Sequence, residues 1–306
     1  MTIRPLDLLD LPIITRYRND VITLDSARAL TRGHPLGTME LLAYINPARH
    51  LYAAIANGDD SALLGGVTHA RGESFAKLLY LAPSSRLDDP QLPALIEHLA
   101  IQAGEWKAFH VTAEVDESSD VFPAMRMAGF SVYAWQRLWD VSGIRKAETG
   151  QGLGWRRAQS VDLHTVQSLH YQIVPPLLHP VEPAPRRASG LIHAENLKCY
   201  ASVTAGMYGI MLTPLIHPDE INVTEKITRL VSSLTDRGNR RVYLNVRSYQ
   251  AWLEPVLEDL GSKASPRQAV MVKHLARLIQ EGQPAITVPA TVNVQPSRIS
   301  RMDIDE

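Results

Sequence analysis

The feature that most constrains the fold of this chain is an internal repeat, in which one order of strands and helices occurs twice. The segment from Ile3 to Leu11 has the same pattern as the segment from Trp155 to Leu163. A helix also ends at Gly129 in the first half and at Gly261 in the second. Glycine often follows a helix because it adopts the left-handed conformation without strain. A tandem duplication of one unit therefore accounts for the length of 306 residues.

Hydrophobic periodicity predicts corresponding elements in the two halves. Strands are predicted in the first half over residues 3–6, 51–56, 62–69, 75–82, 109–115 and 131–141, with helices over 10–18, 38–45 and 120–128 and after Pro90. In the second half, strands are predicted over 156–158, 191–194, 198–204, 208–216, 241–246 and 266–274, with helices over 162–172 and 251–260 and one that contains Ile227. The predicted fold class is α/β (α+β), with two tandem domains that each have a mixed, mostly antiparallel sheet flanked by helices.

The boundary between the halves is predicted at a glycine-rich, polar stretch, which suits a flexible linker. The expected division is an N-terminal domain over residues 1–142, a linker over 143–154 and a C-terminal domain over 155–280. The tail, residues 281–306, contains a β-prone run that could add an edge strand before a polar, disordered end.

Composition excludes several classes of function. The formal net charge of −1 gives no basic excess for nucleic-acid binding. The single cysteine, Cys199, excludes an intrachain disulfide and a cysteine-based zinc site, and we expect it to be a buried, inert thiol. No two histidines have the spacing of a helical metal-binding motif, so no metal is expected. The chain begins without an apolar signal stretch and has no run of 18 apolar residues, so a cytoplasmic protein without membrane contact is expected.

The turn from Pro83 to Gln91 joins a strand to a helix, which is a common place to hold a phosphate. Two interpretations of this turn are open. Arg86 could recruit an anion, or Asp89 could cap the helix and so take the place of one, with Pro90 in the first helical position. The corresponding turn of the second half is acidic, and Asn222-Val-Thr-Glu225 there predicts a capping box.

The order of elements resembles that of the GCN5-related N-acetyltransferase (GNAT) superfamily, over residues 2–141 and again over 155–274. In that family the turn after the fourth strand reads roughly P-x-x-R-G-x-G-x-G. Pro83 and Arg86 stand at matching positions, whereas the three glycine positions are filled by Leu87, Asp89 and Gln91. After Pro218 in the second half, neither the arginine nor any of the glycines is present. A family tyrosine that commonly protonates the leaving thiolate corresponds to Met125 and Leu257, neither of which can donate a useful proton.

The resemblance implies two acyl-CoA N-acyltransferase-like domains that use acetyl-CoA as co-substrate. The implied cofactor-binding residues are Leu81, Ala82, Pro83 and Arg86, and a carboxylate such as Glu114 could be the general base. Alternatively, Glu114 belongs to a polar loop after a strand.

Two functions follow from the resemblance. The first is acetyl transfer to a small-molecule or peptide amine, with the N-terminal copy as the better candidate. The alternative is a catalytically inactive tandem GNAT-like module for ligand sensing or protein interaction, since both turns and both tyrosine positions depart from the family pattern. A homodimer is a further possibility.

The proline-rich segment over residues 174–187 stands where the plan of the first half predicts a second helix. The resemblance implies that this segment walls the acceptor site. It could equally be a brace between the two halves.

Overall fold

The structure is a computed structural model that describes residues 2–37, 50–57, 62–70, 72–144, 154–195, 197–234 and 237–275. The chain up to Leu275 forms one compact unit. The helix predicted over residues 38–45, most of the predicted linker and the tail over 281–306 lie outside the described residues. The predicted domain boundaries stay a prediction.

The described residues form one sheet of fourteen strands. The strands are β1 (Thr2–Pro5), β2 (Ile22–Thr23), β3 (His50–Asn57), β4 (Ala62–His69), β5 (Phe75–Ala82), β6 (His110–Asp116), β7 (Ser131–Asp140), β8 (Trp155–Arg157), β9 (Gly190–His193), β10 (Cys199–Ala205), β11 (Gly209–Ile216), β12 (Arg241–Arg247), β13 (Lys263–Ala264) and β14 (Gln268–His274). The α-helices are α1 (Leu11–Tyr17), α2 (Ser26–Arg32), α3 (Leu92–Glu105), α4 (Val121–Met127), α5 (Leu163–Ile173), α6 (Val223–Ser232) and α7 (Glu254–Asp259). Short 3-10 helices cover Leu8–Asp10, Ser84–Arg86, Ser160–Asp162, Pro176–Leu178 and Ser248–Leu253. Among the described residues, no helix combines the length and apolar character needed to cross a membrane.

The strand order is β1-β3-β4-β5-β6-β14-β7-β12-β11-β10-β9-β8, with β2 paired to β5 and β13 paired to β7. Neighbouring strands are antiparallel except in two places, where β5 pairs with β6 and β11 pairs with β12 in parallel. Each half has one of these parallel pairs at the corresponding position. The prediction of a mixed, mostly antiparallel sheet flanked by helices is confirmed.

The two halves share their central strands. The sequence analysis assigns the strand over residues 266–274 to the second half, but β14 lies between β6 and β7 of the first half. The far end of β7, from Gln136 to Asp140, pairs in turn with β12 of the second half. The prediction for β14 was wrong about its partners because hydrophobic periodicity locates a strand without specifying what it pairs with.

Matching ion pairs at the two starts support the duplication. Arg4 binds the Asp10 carboxylate through two hydrogen bonds of 2.7 and 2.6 Å. Arg156 binds the Asp162 carboxylate in the same way, through two bonds of 2.7 Å. In both halves that carboxylate also accepts a backbone N–H from the residue three positions earlier.

The core of the first half lies between α3 and the sheet. Leu95, Ile96 and Leu99 of α3 are fully buried against β4 and β5. Gly65 of β4 allows this approach, because a Cβ atom there would come within 2.7 Å of the Leu99 side chain. Fully burying one such leucine contributes roughly 2 kcal/mol. This packing fixes the turn between β5 and α3, where the sequence predicts a site.

Candidate functional site

The parallel strands β5 and β6 stay together only at their start. Phe75–Lys77 pairs with His110–Thr112, and no further pair joins the two strands. Beyond that point the short strand β2 runs antiparallel to β5, opposite Tyr80 and Leu81. The gap between the two strands is therefore occupied by another segment of the same chain.

Leu24 completes this closure by bonding to both strands. Its N–H donates to the Leu79 carbonyl at 2.8 Å, and its own carbonyl accepts the Glu114 N–H at 2.8 Å. Glu114 in turn accepts the Ser26 N–H through its carboxylate at 3.0 Å. Residues 22–24 thus form hydrogen bonds with backbone groups of both β5 and β6.

A second internal group occupies the turn after β5. One carboxylate oxygen of Asp20 accepts the Ser84 N–H at 2.9 Å and also the Ser84 hydroxyl, and the other oxygen accepts the Ser85 hydroxyl at 2.8 Å. These bonds, the one from the Ser84 hydroxyl first, lower the pKa of the Asp20 carboxyl. A negative group of the protein itself therefore lies at the turn for which the sequence leaves open whether it binds an anion.

Arg86 and Asp89 pair with each other. The Arg86 guanidinium donates to the Asp89 carboxylate, which also accepts the Gln91 N–H at 2.8 Å. Asp89 is not the helix cap that the sequence predicts, because α3 begins at Leu92 and its N-cap position is Gln91. The carboxylate nevertheless bonds to a backbone N–H next to the helix start.

The other predicted cofactor-binding residues lie at the end of β5. Leu81 and Ala82 are buried, and on the side away from β2 they pair with β4. The peptide bond between Ala82 and Pro83 is cis. The cofactor-binding role of these residues and of Arg86 stays a prediction.

In the second half a side chain closes the corresponding gap. Strands β11 and β12 pair in parallel only over their first four residues, up to Leu212 and Leu244. Beyond them Gln250, which is 1 % exposed, accepts the Ile216 N–H at 3.1 Å and donates to the Pro214 carbonyl at 2.8 Å. The sequence analysis missed Gln250, because nothing in the local pattern distinguishes it from a surface glutamine.

In the acidic turn of the second half, the Glu220 side chain bonds to neighbouring groups of the same chain. The Glu220 carboxylate pairs with Lys226, accepts the Ile221 N–H at 3.0 Å and accepts the Cys199 thiol at 3.7 Å. Burial, and then the Glu220 carboxylate, raise the pKa of Cys199 to about 12. Cys199 is therefore a buried, protonated thiol, as the sequence predicts.

The predicted capping box of this turn does not form. Asn222 has a positive φ of 58° and makes no side-chain hydrogen bond to the start of α6. Glu225 instead pairs with Arg229, one turn further along the helix. The i,i+4 ion pair on the exposed face competes successfully with the bond back to the cap.

A cavity of about 230 Å³ lies between the two halves. It adjoins the points where β5 separates from β6 and β11 separates from β12. Its charged and phenolic wall comes from both halves: Lys77, Glu114, Tyr133, Glu182, Tyr200, Arg247 and Tyr249.

Glu182 organises the second-half side of this cavity. It pairs with the Arg247 Nε at 3.1 Å and accepts the Tyr133 and Tyr249 hydroxyls at 3.0 and 2.8 Å. Burial, and next the Glu182 carboxylate, raise the pKa of both phenols. Although burial opposes its charge, Arg247 has a raised pKa because Glu182 and its neighbours favour the protonated form. Glu182 lies in the proline-rich segment, which thus reaches both the cavity and the interface.

Glu114, the predicted general base, lies on the first-half side of the cavity. It belongs to β6 rather than to a loop, and it is 9 % exposed. Lys77 lies nearby and pairs with Asp25 at 3.4 Å, and Asp25 and then Glu114 raise the pKa of Lys77. The catalytic role of Glu114 stays a prediction.

Solved structures share this architecture over almost the whole chain. A GCN5-related N-acetyltransferase from Sphaerobacter thermophilus superposes with a TM-score of 0.56 over 89 % of this chain and 95 % of that one, at 14 % sequence identity. A tandem GNAT protein from the clavulanic acid biosynthesis pathway gives a TM-score of 0.52 over 90 % of this chain and 99 % of that one, at 15 % identity. This chain has the tandem GNAT fold. No family model and no curated protein sequence matches it.

The two positions that the sequence analysis matches to the family tyrosine lie in the interior. Met125 of α4 and Leu257 of α7 are both fully buried and belong to hydrophobic clusters. Both positions therefore serve packing in this chain and supply no proton donor.

Proposed function

We propose that this chain is a ligand-binding protein with the tandem GNAT fold, and that its own residues close the two clefts in which acyl-CoA would lie. The observation that carries the proposal is the occupation of both gaps, by residues 22–24 in the first half and by Gln250 in the second. A backbone group already bonded within the chain is not free to bond to a cofactor. Ligand sensing therefore fits the geometry better than acetyl transfer.

Charge supports the same proposal. At the first turn the Asp20 carboxylate would face the pyrophosphate of coenzyme A, and no ion pair to Asp20 is found among the described residues, whereas Asp89 is paired with Arg86 and Glu220 of the second turn with Lys226. A carboxylate ~5 Å from a phosphate charge costs roughly 3 kcal/mol at an effective dielectric constant of ~20. That cost corresponds to about two decades of affinity. Arg86 offsets little of it, because Asp89 already neutralises Arg86.

The test is a calorimetric titration of the full chain with acetyl-CoA, together with its thermal shift. We expect neither heat nor a shift at millimolar acetyl-CoA. An acetyltransferase with measured acetyl-CoA affinity, titrated in the same buffer, shows that the assay detects binding. Micromolar binding that weakens in the variant Arg86→Ala would overturn the proposal.

A second candidate is an active N-acetyltransferase, which the position of Glu114 favours. This carboxylate lies where β5 and β6 separate and lines the cavity, so it could take a proton from an amine there. Both solved structures named above are described as GNAT proteins, which supports acetyl-CoA as co-substrate. The test is release of free thiol from acetyl-CoA with a panel of small-molecule and peptide amines. Activity that Glu114→Gln abolishes and Glu117→Gln preserves would establish this candidate, and no thiol release with any amine would exclude it.

A further inference from the structure

A second cavity, here called the edge cavity, lies at the outer side of the second half, against the edge strand β8. Its volume of about 510 Å³ lies within the roughly 300–1,000 Å³ of small-molecule sites. Ser233 and Leu234, which follow the last turn of α6, form part of its wall. The acidic turn with Glu220 precedes the first turn of α6, and the ten residues of the helix separate the two by roughly 15 Å. The edge cavity is therefore distinct from the closed cleft of the second half.

The charged side chains that line the edge cavity all have the same sign. Among the described residues of its wall, none is aspartate or glutamate and four are arginines: Arg156, Arg157, Arg237 and Arg240. Arg156 is matched by Asp162, which is not part of the wall. Within the described part of the chain, Arg237 forms no ion pair, and its guanidinium bonds to the Arg240 and Ser142 carbonyls at 3.2 and 2.8 Å. A carbonyl oxygen accepts a hydrogen bond without cancelling the charge, so the positive charge of Arg237 can attract an anion.

The loop after α6 holds Arg237 in place for such a contact. The Arg237 Nε donates to the Arg240 carbonyl, and the Arg240 Nε donates in return to the Arg237 carbonyl at 3.0 Å. Arg237 keeps its Nη1 group and one N–H of Nη2 for a further acceptor. Paired guanidinium N–H groups match the two oxygens of a carboxylate. Because the side chain is already fixed, binding an anion costs little of its conformational entropy.

The rest of the wall suits an apolar body. The aliphatic side chains on it come from the strands and from the loop after α6: Leu191, Val203, Ile210 and Leu234. Trp155 adds an indole ring whose N–H already donates to the Lys226 carbonyl at 3.0 Å. A ligand with a ring or an alkyl chain can therefore bury apolar surface in the edge cavity while its charged end lies at Arg237.

The arginines of the loop after α6 belong to the second half alone. The corresponding loop of the first half, between α3 and β6, reads Trp106-Lys107-Ala108-Phe109 and contains no arginine. By contrast, the ion pair of Arg156 has its counterpart in that of Arg4, as expected of a contact that serves the repeated fold. Arg237 and Arg240 are not required by the repeated fold, which favours a role specific to the edge cavity.

We infer that the edge cavity binds a small organic carboxylate. The carboxylate accepts hydrogen bonds from the Arg237 guanidinium, and the apolar body of the ligand lies against Trp155 and the aliphatic side chains. A single negative charge suits the site, because Arg156 is already matched by Asp162. This inference rests on the proposed ligand-binding function. It adds the chemical class of the ligand and requires neither cleft to open.

The test compares three probes of similar shape and different charge: 3-phenylpropionate, 3-phenylpropanol and 3-phenylpropylamine. Calorimetry on the full chain should show that the carboxylate binds at least about tenfold more tightly than the alcohol, a difference of about 1.4 kcal/mol. The amine should bind more weakly than either. In Arg237→Gln the preference for the carboxylate should disappear. In the matched control Arg241→Gln, which removes the same charge from a mostly exposed side chain at the start of β12, it should remain.

A second variant keeps the test decisive if Arg237→Gln fails to fold. Ala205 is an exposed residue of β10 that lines the edge cavity, so Ala205→Phe fills part of the space, leaves Arg237 intact and should abolish binding of the carboxylate. Equal affinity for carboxylate and alcohol, tighter binding of the amine, or no binding of any probe at millimolar concentration would overturn the inference. So would an equal loss of affinity in Arg237→Gln and Arg241→Gln.

The edge cavity and the closed clefts can fail separately. Binding of acetyl-CoA in the first cleft would weaken in Arg86→Ala and not in Arg237→Gln, and it would overturn the proposed function alone. Failure of the three probes to bind would leave the acetyl-CoA titration unaffected, and it would overturn the carboxylate site alone.

Discussion

Gln250 offers the sharpest test of the closed second cleft. Its side chain is 1 % exposed and holds two main-chain groups of β11, the Ile216 N–H and the Pro214 carbonyl. Replacing it with leucine keeps the size of the side chain and removes both bonds. Each buried polar group left without a partner costs about 1–3 kcal/mol. Because leucine preserves the packing, we expect Gln250→Leu to lower the free energy of unfolding by roughly 3 kcal/mol.

Urea denaturation followed by tryptophan fluorescence measures this loss. Hydrogen exchange of peptides from β11 should locate it, because the Ile216 N–H loses its acceptor. The matched control is Gln102→Leu, since the Gln102 side-chain amide donates to Glu105 on the exposed surface of α3. We expect the control to change stability by less than about 0.5 kcal/mol. If Gln250→Leu behaves like the control and β11 exchanges as before, Gln250 does not hold the cleft closed.

Three further predictions concern the first half and the matching ion pairs. Asp20→Ala should lower the free energy of unfolding by roughly 1–2 kcal/mol, because the Ser84 and Ser85 hydroxyls lose their acceptor. Hydrogen exchange at Ser84 should be faster, because its N–H keeps only the Asp20 backbone carbonyl, at 3.1 Å, as acceptor. Burial, and then His274, lower the pKa of His110 below its ordinary value of 6.5, so the unfolded chain binds the proton more readily and the melting temperature should fall as pH drops below about 6.5. The hydrogen bonds from Arg156, and then from the Gln159 N–H, lower the pKa of the Asp162 carboxyl to about 2. The stability that the ionised carboxylate contributes should therefore be present above about pH 4 and be lost between pH 4 and 2.

Each of these predictions has a control and a contrary result. For the turn, Asp88→Ala should leave hydrogen exchange unchanged, and equal exchange in both variants would contradict the assigned bond. For His110, the melting temperature of the variant His110→Gln should depend less on pH between 7.5 and 5.5 than that of the unaltered chain. An unchanged dependence would contradict the role given to His110. For Asp162, the variant Asp162→Asn should lose less of its free energy of unfolding between pH 4 and 2 than the unaltered chain. An equal loss in both would contradict the prediction.

Local patterns in the sequence predict the longer elements well, because those elements bury a regular apolar face. The hairpin strands of both halves and the helix α3 follow from such patterns. The sequence analysis missed α2 (Ser26–Arg32) and the two-residue strand β2, which are short and held by partners distant in sequence. It also could not place β14, since the choice between two sheets depends on the whole assembly of strands.

The candidate site shows the same division between local and distant information. The sequence offers Arg86 as an anion site and Asp89 as a substitute for the anion, and the structure joins the two in one ion pair. Asp20 and Gln250 give no signal, because each bonds to a turn or strand far from it along the chain. The composition of the proline-rich segment favours irregular structure beside a binding site or between the halves. It does not reveal that Glu182 pairs with Arg247.

The two closed clefts and the cavity are parts of one arrangement. In the first half the closing segment contributes Leu24 to the cavity wall, and Leu24 also bonds to the backbone of Glu114. In the second half Gln250 follows Tyr249, which lines the same cavity and bonds to Glu182. The closing segment of the first half therefore contributes directly to the cavity wall, and in the second half the residue next to the closing glutamine does so. Reopening the first cleft would move Leu24 and so change the cavity wall, and reopening the second would displace the neighbour of Tyr249.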